Sequence, residues 1–347
     1  MYSESDIDTA VAAGALAPEE ARRFRDHVAG VRRAPAVDEE HFRLLTGFND
    51  IFVSIAIALL LAAVGQIGSV IPGGRAGMAG GGVAVAGTAW LLAEYFTARR
   101  RMALPSILLL LAFVGGVAIA GAGAVIALAP EDLSDRMAGV AMAGVALVAG
   151  GAAWLHWRRF QVPITVAAGA VAVVALLAGL LIAAVPEAER AIWPLLLAAG
   201  LGVFAWAMRW DLSDRERRTR RADVAFWLHL AAAPLIAHPL FQMLGVFDER
   251  VGLATAFGVL GLYALFALVA LAVDRRALLV SGLVYALYAL LSLFRTAGAL
   301  ELGWAFTALV IGSALLTLSA FWQPMRRGVV ARLGGWGERL PPVAFAA

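Results

Sequence analysis

From residue 49 onward the chain is a succession of apolar runs, separated by short charged or Gly/Pro-rich breaks. Each run is about 20 residues long, the length a helix needs to cross the hydrocarbon core of a bilayer. Ten spans are predicted, at 49–70, 76–96, 104–128, 136–156, 163–185, 191–208, 223–244, 252–273, 277–296 and 302–322. The predicted fold class is therefore all-α: a polytopic transmembrane helical bundle of about ten spans over 49–322. A small N-terminal helical cap covers 1–48 and a tail covers 323–347.

The cap pattern is shallow. Ser3 or Ser5 can cap a first helix that Gly14 ends. Pro18, Glu19 and Glu20 open a second, with Ala21, Phe24 and Val28 on one stripe. A third segment over 38–48 carries Phe42, Leu45 and Phe48, suited to lying on a membrane surface. So few large apolar side chains cannot hold an independent core, so the cap is a candidate docking surface for a protein partner.

Charge sets the orientation. All 28 basic residues are Arg. One set of connections, with the two termini, holds 23 of them; the opposite connections hold Arg75, Arg136, Arg190, Arg250 and Arg295. The positive-inside rule then places both termini in the cytoplasm, in a bacterial inner membrane. The polar, acidic start offers no n-region or h-region, so the first span is expected to direct insertion. Scattered through short loops rather than gathered on one face, the arginines exclude a nucleic-acid partner. Their expected partners are the lipid bilayer and its anionic headgroups. The run Arg209–Arg221, with six arginines and three acids, reads as a solvated connection or an anionic-lipid contact.

Arg100-Arg101 followed by Leu104-Pro105 recurs 58 positions later as Arg158-Arg159 followed by Val162-Pro163. Arg275-Arg276 falls two further periods on, and the missing period lands near Arg217-Arg218. This predicts helical hairpins, each entering from the cytoplasm behind a basic pair. A repeat-built transporter has this pattern, and so does any evenly spaced bundle obeying positive-inside.

Without Cys there are no disulfides, thiolate metal sites or cysteine nucleophiles. No phosphate-binding glycine loop, His-Glu-x-x-His or nucleophile elbow occurs, so no catalytic residue, metal site or cofactor is assigned. The glycines inside spans, such as Gly77, Gly81, Gly115, Gly116, Gly121 and Gly123, let helix backbones approach closely.

Polar residues within spans concentrate in the seventh and ninth. Ser281, Tyr285, Tyr288, Ser292 and Arg295 are spaced 4, 3, 4 and 3 apart, which puts them within an arc of about 80°. Such a stripe is expected to face the bundle interior. The seventh span holds His229, Pro234, His238, Pro239 and Gln242. Its two prolines suggest a kinked or broken helix, as found around midplane transport sites. His238 and Gln242 share a face; His229 lies on the other side about 13 Å away, too far to ligate one metal with His238. The candidate substrate-binding set is Tyr285, Tyr288, Ser292, Arg295, His238 and Gln242. The same groups could equally be structural hydrogen bonds between helices. Asn49, Asp50 and Glu94 sit at the cytoplasmic ends, where Glu94 is expected to pair with Arg99–Arg101.

The opening from Asp6 through Gly14 and Pro18 to Ala21 resembles the helix–Gly–helix that begins a group of uncharacterised bacterial polytopic inner-membrane proteins. That group carries no assigned activity. Two function classes stand: movement or binding of a small solute or ion between spans seven and nine, or a non-transporting scaffold, sensor or accessory subunit. Reachability of the polar faces by water discriminates them.

Overall fold

The computed structural model describes residues 4–32, 48–130, 132–185, 189–215, 217, 219–246, 253–296 and 303–340. The molecule is 88% helical, with no strand among the described residues. It divides into two compact units, one within residues 1–42 and one within 43–342.

The small unit holds α1 (Glu4–Ala12) and α2 (Pro18–Arg32). Gly14, at φ +72°, ends the first, and the Glu20 carboxylate accepts the Ala17 N–H at 3.1 Å to open the second. Arg25 ties the helices by donating to Asp8 at 2.7 Å over a buried Ala21. The segment expected over 38–48 lies outside the described residues, apart from Phe48, which opens the next helix.

The large unit begins with α3 (Phe48–Val70) and α4 (Gly77–Ala93), which continues as a π-helical turn over Glu94–Arg99. Then come α5 (Ala103–Leu128), α6 (Asp135–Phe160), α7 (Ile164–Ala184) and α8 (Glu189–Ser213). The C-terminal helices are α9 (Arg220–Met243), α10 (Leu253–Val273), α11 (Ala277–Thr296), α12 (Gly303–Ala320) and α13 (Trp322–Arg332). Among the described residues nine helices are long and apolar enough to cross a membrane. The tenth expected span is α11, 20 residues long with an apolar section over Ala277–Leu291. Large apolar side chains such as Leu59, Leu91 and Leu316 stand on the outside. This surface is compatible with a multi-pass membrane protein in a lipid bilayer.

The closest pairings join α4 to α5, α6 to α7 and α8 to α9; α10 and α11 pair in the same way, less closely than α3 packs on α4. These are hairpins closed at the arginine-rich end, so the structural unit is offset by one helix from the hairpins that the basic pairs suggested. Glycine explains the closeness of the first two. A Cβ on Gly82 would lie 2.4 Å from the Ala120 nitrogen, and one on Gly139 would lie 2.5 Å from the Ala183 nitrogen. Backbone meets backbone where lipid gives no hydrophobic drive to association.

The repeat is written in the backbone. Arg101, Gln161, Arg217 and Asp274 are non-glycine residues with φ between 51° and 59°, and each sits in the turn of one of the four hairpins. Glycine usually takes the left-handed place that ends a helix, because a Cβ there costs about 1–2 kcal/mol. The last three of these side chains reach forward. Gln161 accepts from Arg220 at 3.0 Å, Arg217 donates to Asp274 at 2.9 Å, and Asp274 accepts from Trp322 at 2.9 Å.

Helix α9 is the centre of the C-terminal half, packed on α7, α8 and α11. Within its apolar window 56% of residues are buried, against 17–33% for the other spans. Alanines at 222, 225, 232, 233 and 237 make this crowding possible. The helix runs unbroken through Pro234 and Pro239, so of the kink or break expected there the break is not present.

Candidate functional site

Two polar clusters meet α9, at different depths. The first lies toward the arginine-rich end. Helix α8 extends past the expected limit of its span to Ser213, and that extension carries Asp211 into the protein. The Asp211 side chain has no exposed surface. His229 of α9 lies with Nε2 3.0 Å from Asp211 Oδ2, and Arg275 donates from Nε to the same oxygen at 3.0 Å and from Nη2 to Oδ1. Arg275 Nη2 also reaches the Ala222 carbonyl at 3.4 Å. The carboxylate–guanidinium fork satisfies charge in a dry place, as burial of an ion pair requires. Phe204 packs edge-on against the imidazole, ring centres 5.1 Å apart.

Asp274 and Arg275 are neighbours that turn opposite ways. The left-handed backbone at Asp274 ends α10 and sends its carboxylate toward Arg217, the Trp322 indole N–H and Arg326, whose Nε lies 3.5 Å away. Arg276 then covers the Trp322 ring at 4.7 Å. Two carboxylates thus face three guanidiniums (Arg217, Arg275 and Arg326) in one buried set. Burial, with Arg275 nearby, pushes the Arg217 guanidinium below its ordinary value, and Asp274 and Asp211 oppose the shift. It stays charged, because an arginine starts too high to lose its proton in a protein.

This cluster corrects one sequence reading. The connection over 209–221 is not a solvated loop: its first acid is buried in α8. After α12 the chain continues as α13, whose Trp322 and Arg326, 3% and 1% exposed, pack into the same set. Outside the cluster, Glu94 pairs with Arg159 of α6 through two hydrogen bonds, not with Arg99–Arg101 as expected. Sequence carried a signal for the two buried acids. Asp211 stands between Trp210 and Leu212, and Asp274 directly follows an apolar run of full span length.

The second cluster lies toward the other end of α9. His238 Nδ1 is 2.7 Å from the Tyr285 hydroxyl of α11. Trp193 meets the imidazole edge-on at 5.3 Å, and Phe241 stacks on the Tyr285 ring at 4.3 Å. Of the six candidate residues the structure brings these two together. Gln242 is half-buried one turn on, with no side-chain hydrogen bond among the described residues. Ser292 and Arg295 belong to α11 by backbone, and their side chains lie outside the described set.

Tyr288 departs from expectation. It is 47% exposed, on the outward face of α11 with Val280 and Val284. The inward face is taken by Gly282, Ala286, Ala289 and Leu290, which let α11 approach its neighbours. Tyr285 and Tyr288, the middle pair of the expected stripe, therefore turn in different directions.

One buried polar pair went unnoticed in the fourth and fifth spans: His156 Nδ1 lies 3.3 Å from the Thr165 hydroxyl, inside a ring of Trp90, Phe113 and Phe160. Among the described residues no group of three or more His, Asp or Glu is placed to hold a metal. Two surface grooves, one between α11 and α12 and one across α4, α5 and α6, are apolar, and neither is lined by His229, His238, Asp211 or Tyr285. No family model matches the chain, and no curated protein or solved structure is significantly similar to it.

Proposed function

We propose that this chain is a bacterial inner-membrane protein, both termini cytoplasmic, that binds and moves a small polar solute or ion through its C-terminal half. The observation that carries the reading is α9. It is the most buried of the spans, yet it holds His229 and His238 on opposite faces, each in contact with a polar group of another helix. Ionisable side chains are expensive inside a membrane and mark ion and substrate paths by default. In this reading Tyr285 and His238, with Gln242, Ser292, Arg295 and the outward Tyr288 around them, form the binding region. The Asp211–His229–Arg275 set closes the path at the arginine-rich end.

The chain contains no cysteine, which makes the test direct. Single cysteines replace His238, Tyr285 and, as a buried apolar control, Ala232. They are probed in inverted and right-side-out vesicles with a membrane-impermeant thiol reagent. A carrier needs water at 238 and 285 from at least one side, with Ala232→Cys silent. Protection of both positions from both sides would sink the carrier reading.

A second reading, a non-transporting scaffold or accessory subunit, is favoured by the apolar character of both grooves and by the close hydrogen bonding of the Asp211 and Asp274 carboxylates. Its test is co-purification of a defined partner that is lost on deletion of residues 1–36 while the remainder stays folded.

A further inference from the structure

Away from α9, the N-terminal half presents an open groove of about 690 Å³. Val83, Gly87 and Leu91 of α4, Phe113 and Val117 of α5, and Val148 of α6 line it. It is almost wholly apolar, and its volume falls in the range of ligand sites. Gly87 is part of its floor: a Cβ built there meets nothing within 4 Å.

Both helices that flank the groove end the same way at the arginine-rich end. One turn beyond Leu91, Tyr95 is 43% exposed and carries Arg100, whose Nε and Nη2 donate to its hydroxyl at 3.1 and 3.0 Å. Beyond Val148, Trp154 is 59% exposed and carries the Arg158 guanidinium 5.1 Å above its ring. Exposed aromatics of this kind mark the headgroup level of a bilayer. The charges beside them are unopposed. Glu94 is taken by Arg159, and among the described residues no carboxylate lies within ion-pair distance of Arg99, Arg100, Arg101 or Arg158.

In the C-terminal half, by contrast, Arg217, Arg275 and Arg326 are each bound to an aspartate. Among the described residues, then, the two flanking helices of this groove each lead to an arginine without a carboxylate partner, Arg100 just after α4 and Arg158 in the last turn of α6.

We propose that this groove is a binding site for an anionic phospholipid. One acyl chain lies along Val83, Gly87 and Leu91, and the phosphate is held at the level of Arg100 and Arg158. Charge complementarity selects the occupant: a chain with a neutral headgroup leaves the guanidiniums without an anion, and a soluble anion leaves the groove empty. A guanidinium fork matches phosphate oxygens in pairs, which a lone ammonium does not.

The full chain, purified and delipidated in detergent, is titrated with phosphatidylglycerol or phosphatidylcholine. Bound lipid is counted by native mass spectrometry and its effect read as a shift in melting temperature. Phosphatidylglycerol is expected to bind at least about tenfold more tightly, since each arginine near an anionic headgroup contributes about fivefold. Arg100→Gln with Arg158→Gln abolishes that preference and leaves phosphatidylcholine binding unchanged. Gly87→Leu starts its side chain in open groove space and lowers retention of both lipids, with the lipid-free melting temperature not lowered. Equal binding of the two lipids by the parent chain overturns the proposal. So does full retention by Gly87→Leu, or a dimer in detergent that Gly87→Leu dissociates, which would assign the groove to a second copy.

Discussion

Arg101 and Asp274 sit in the first and last of the four hairpin turns, with nearly the same backbone, φ 54° and 59°, and opposite surroundings. Arg101 is exposed with no partner among the described residues; Asp274 is 4% exposed and receives Trp322, Arg217 and Arg326. The same strained turn is thus an isolated cost at one end of the molecule and a junction at the other. What changed is the neighbour: the later turns acquired side chains from the next unit to meet. A repeat defined by backbone and basic pairs leaves that choice open, and the C-terminal half has used it to bury charge.

The comparison breaks most sharply at Arg275. Arg275→Met leaves Asp211 buried with only His229, and should lower unfolding free energy by about 3–5 kcal/mol. Adding Asp211→Met should restore most of the loss, because two well-packed apolar residues replace a buried pair at little cost. Thermal unfolding of the two variants in one detergent checks both. If the double variant melts no higher than the single, the cluster does more than neutralise itself.

Asp274→Gly keeps the left-handed turn and removes the acceptor. The loss should be about 2–3 kcal/mol, the worth of hydrogen bonds to a charged group, visible as a lower melting temperature and a Trp322 fluorescence shift. Arg101→Gly makes the same exchange where there is nothing to lose. It should raise stability by about 1 kcal/mol through relief of the positive φ, so the two substitutions differ in sign. The smallest effect belongs to Glu94→Gln. Its pair with Arg159 is 36–51% exposed, so solvent screening holds the change below about 1 kcal/mol. High salt should reduce even that, while leaving the Arg275→Met deficit intact.

Much of the fold was legible because the bilayer imposes it. Span length, the spacing of breaks and the one-sided arginines are set by hydrocarbon thickness and insertion, and each is local in sequence. The glycine contacts at Gly82 and Gly139 follow from the same constraint. The pairings of the buried cluster were not legible, because its partners are far apart: His229 is 18 positions from Asp211 and Arg275 is 64. Set among arginines, Asp211 looked like one more loop charge. The polar stripe on α11 failed for a different reason. Angular spacing says which residues share an arc, and an arc of about 80° is wide enough for Tyr285 to turn toward α9 while Tyr288 turns out. Left-handed arginine and glutamine, at 101, 161 and 217, leave no compositional mark at all.

The forward links have a consequence for how the chain is made. Synthesis is vectorial, and Gln161, Arg217 and Asp274 each wait for a residue that leaves the ribosome 57 to 59 positions later in the first two cases and 48 in the last. Gln161 and Arg217 therefore wait for the next hairpin, whereas Asp274 meets Arg217 at once and waits for the indole that α13 supplies. A chain stopped at Ala320 would hold every span yet leave Asp274 without its indole. The last latch is therefore closed by a helix that follows the spans, not by a span itself.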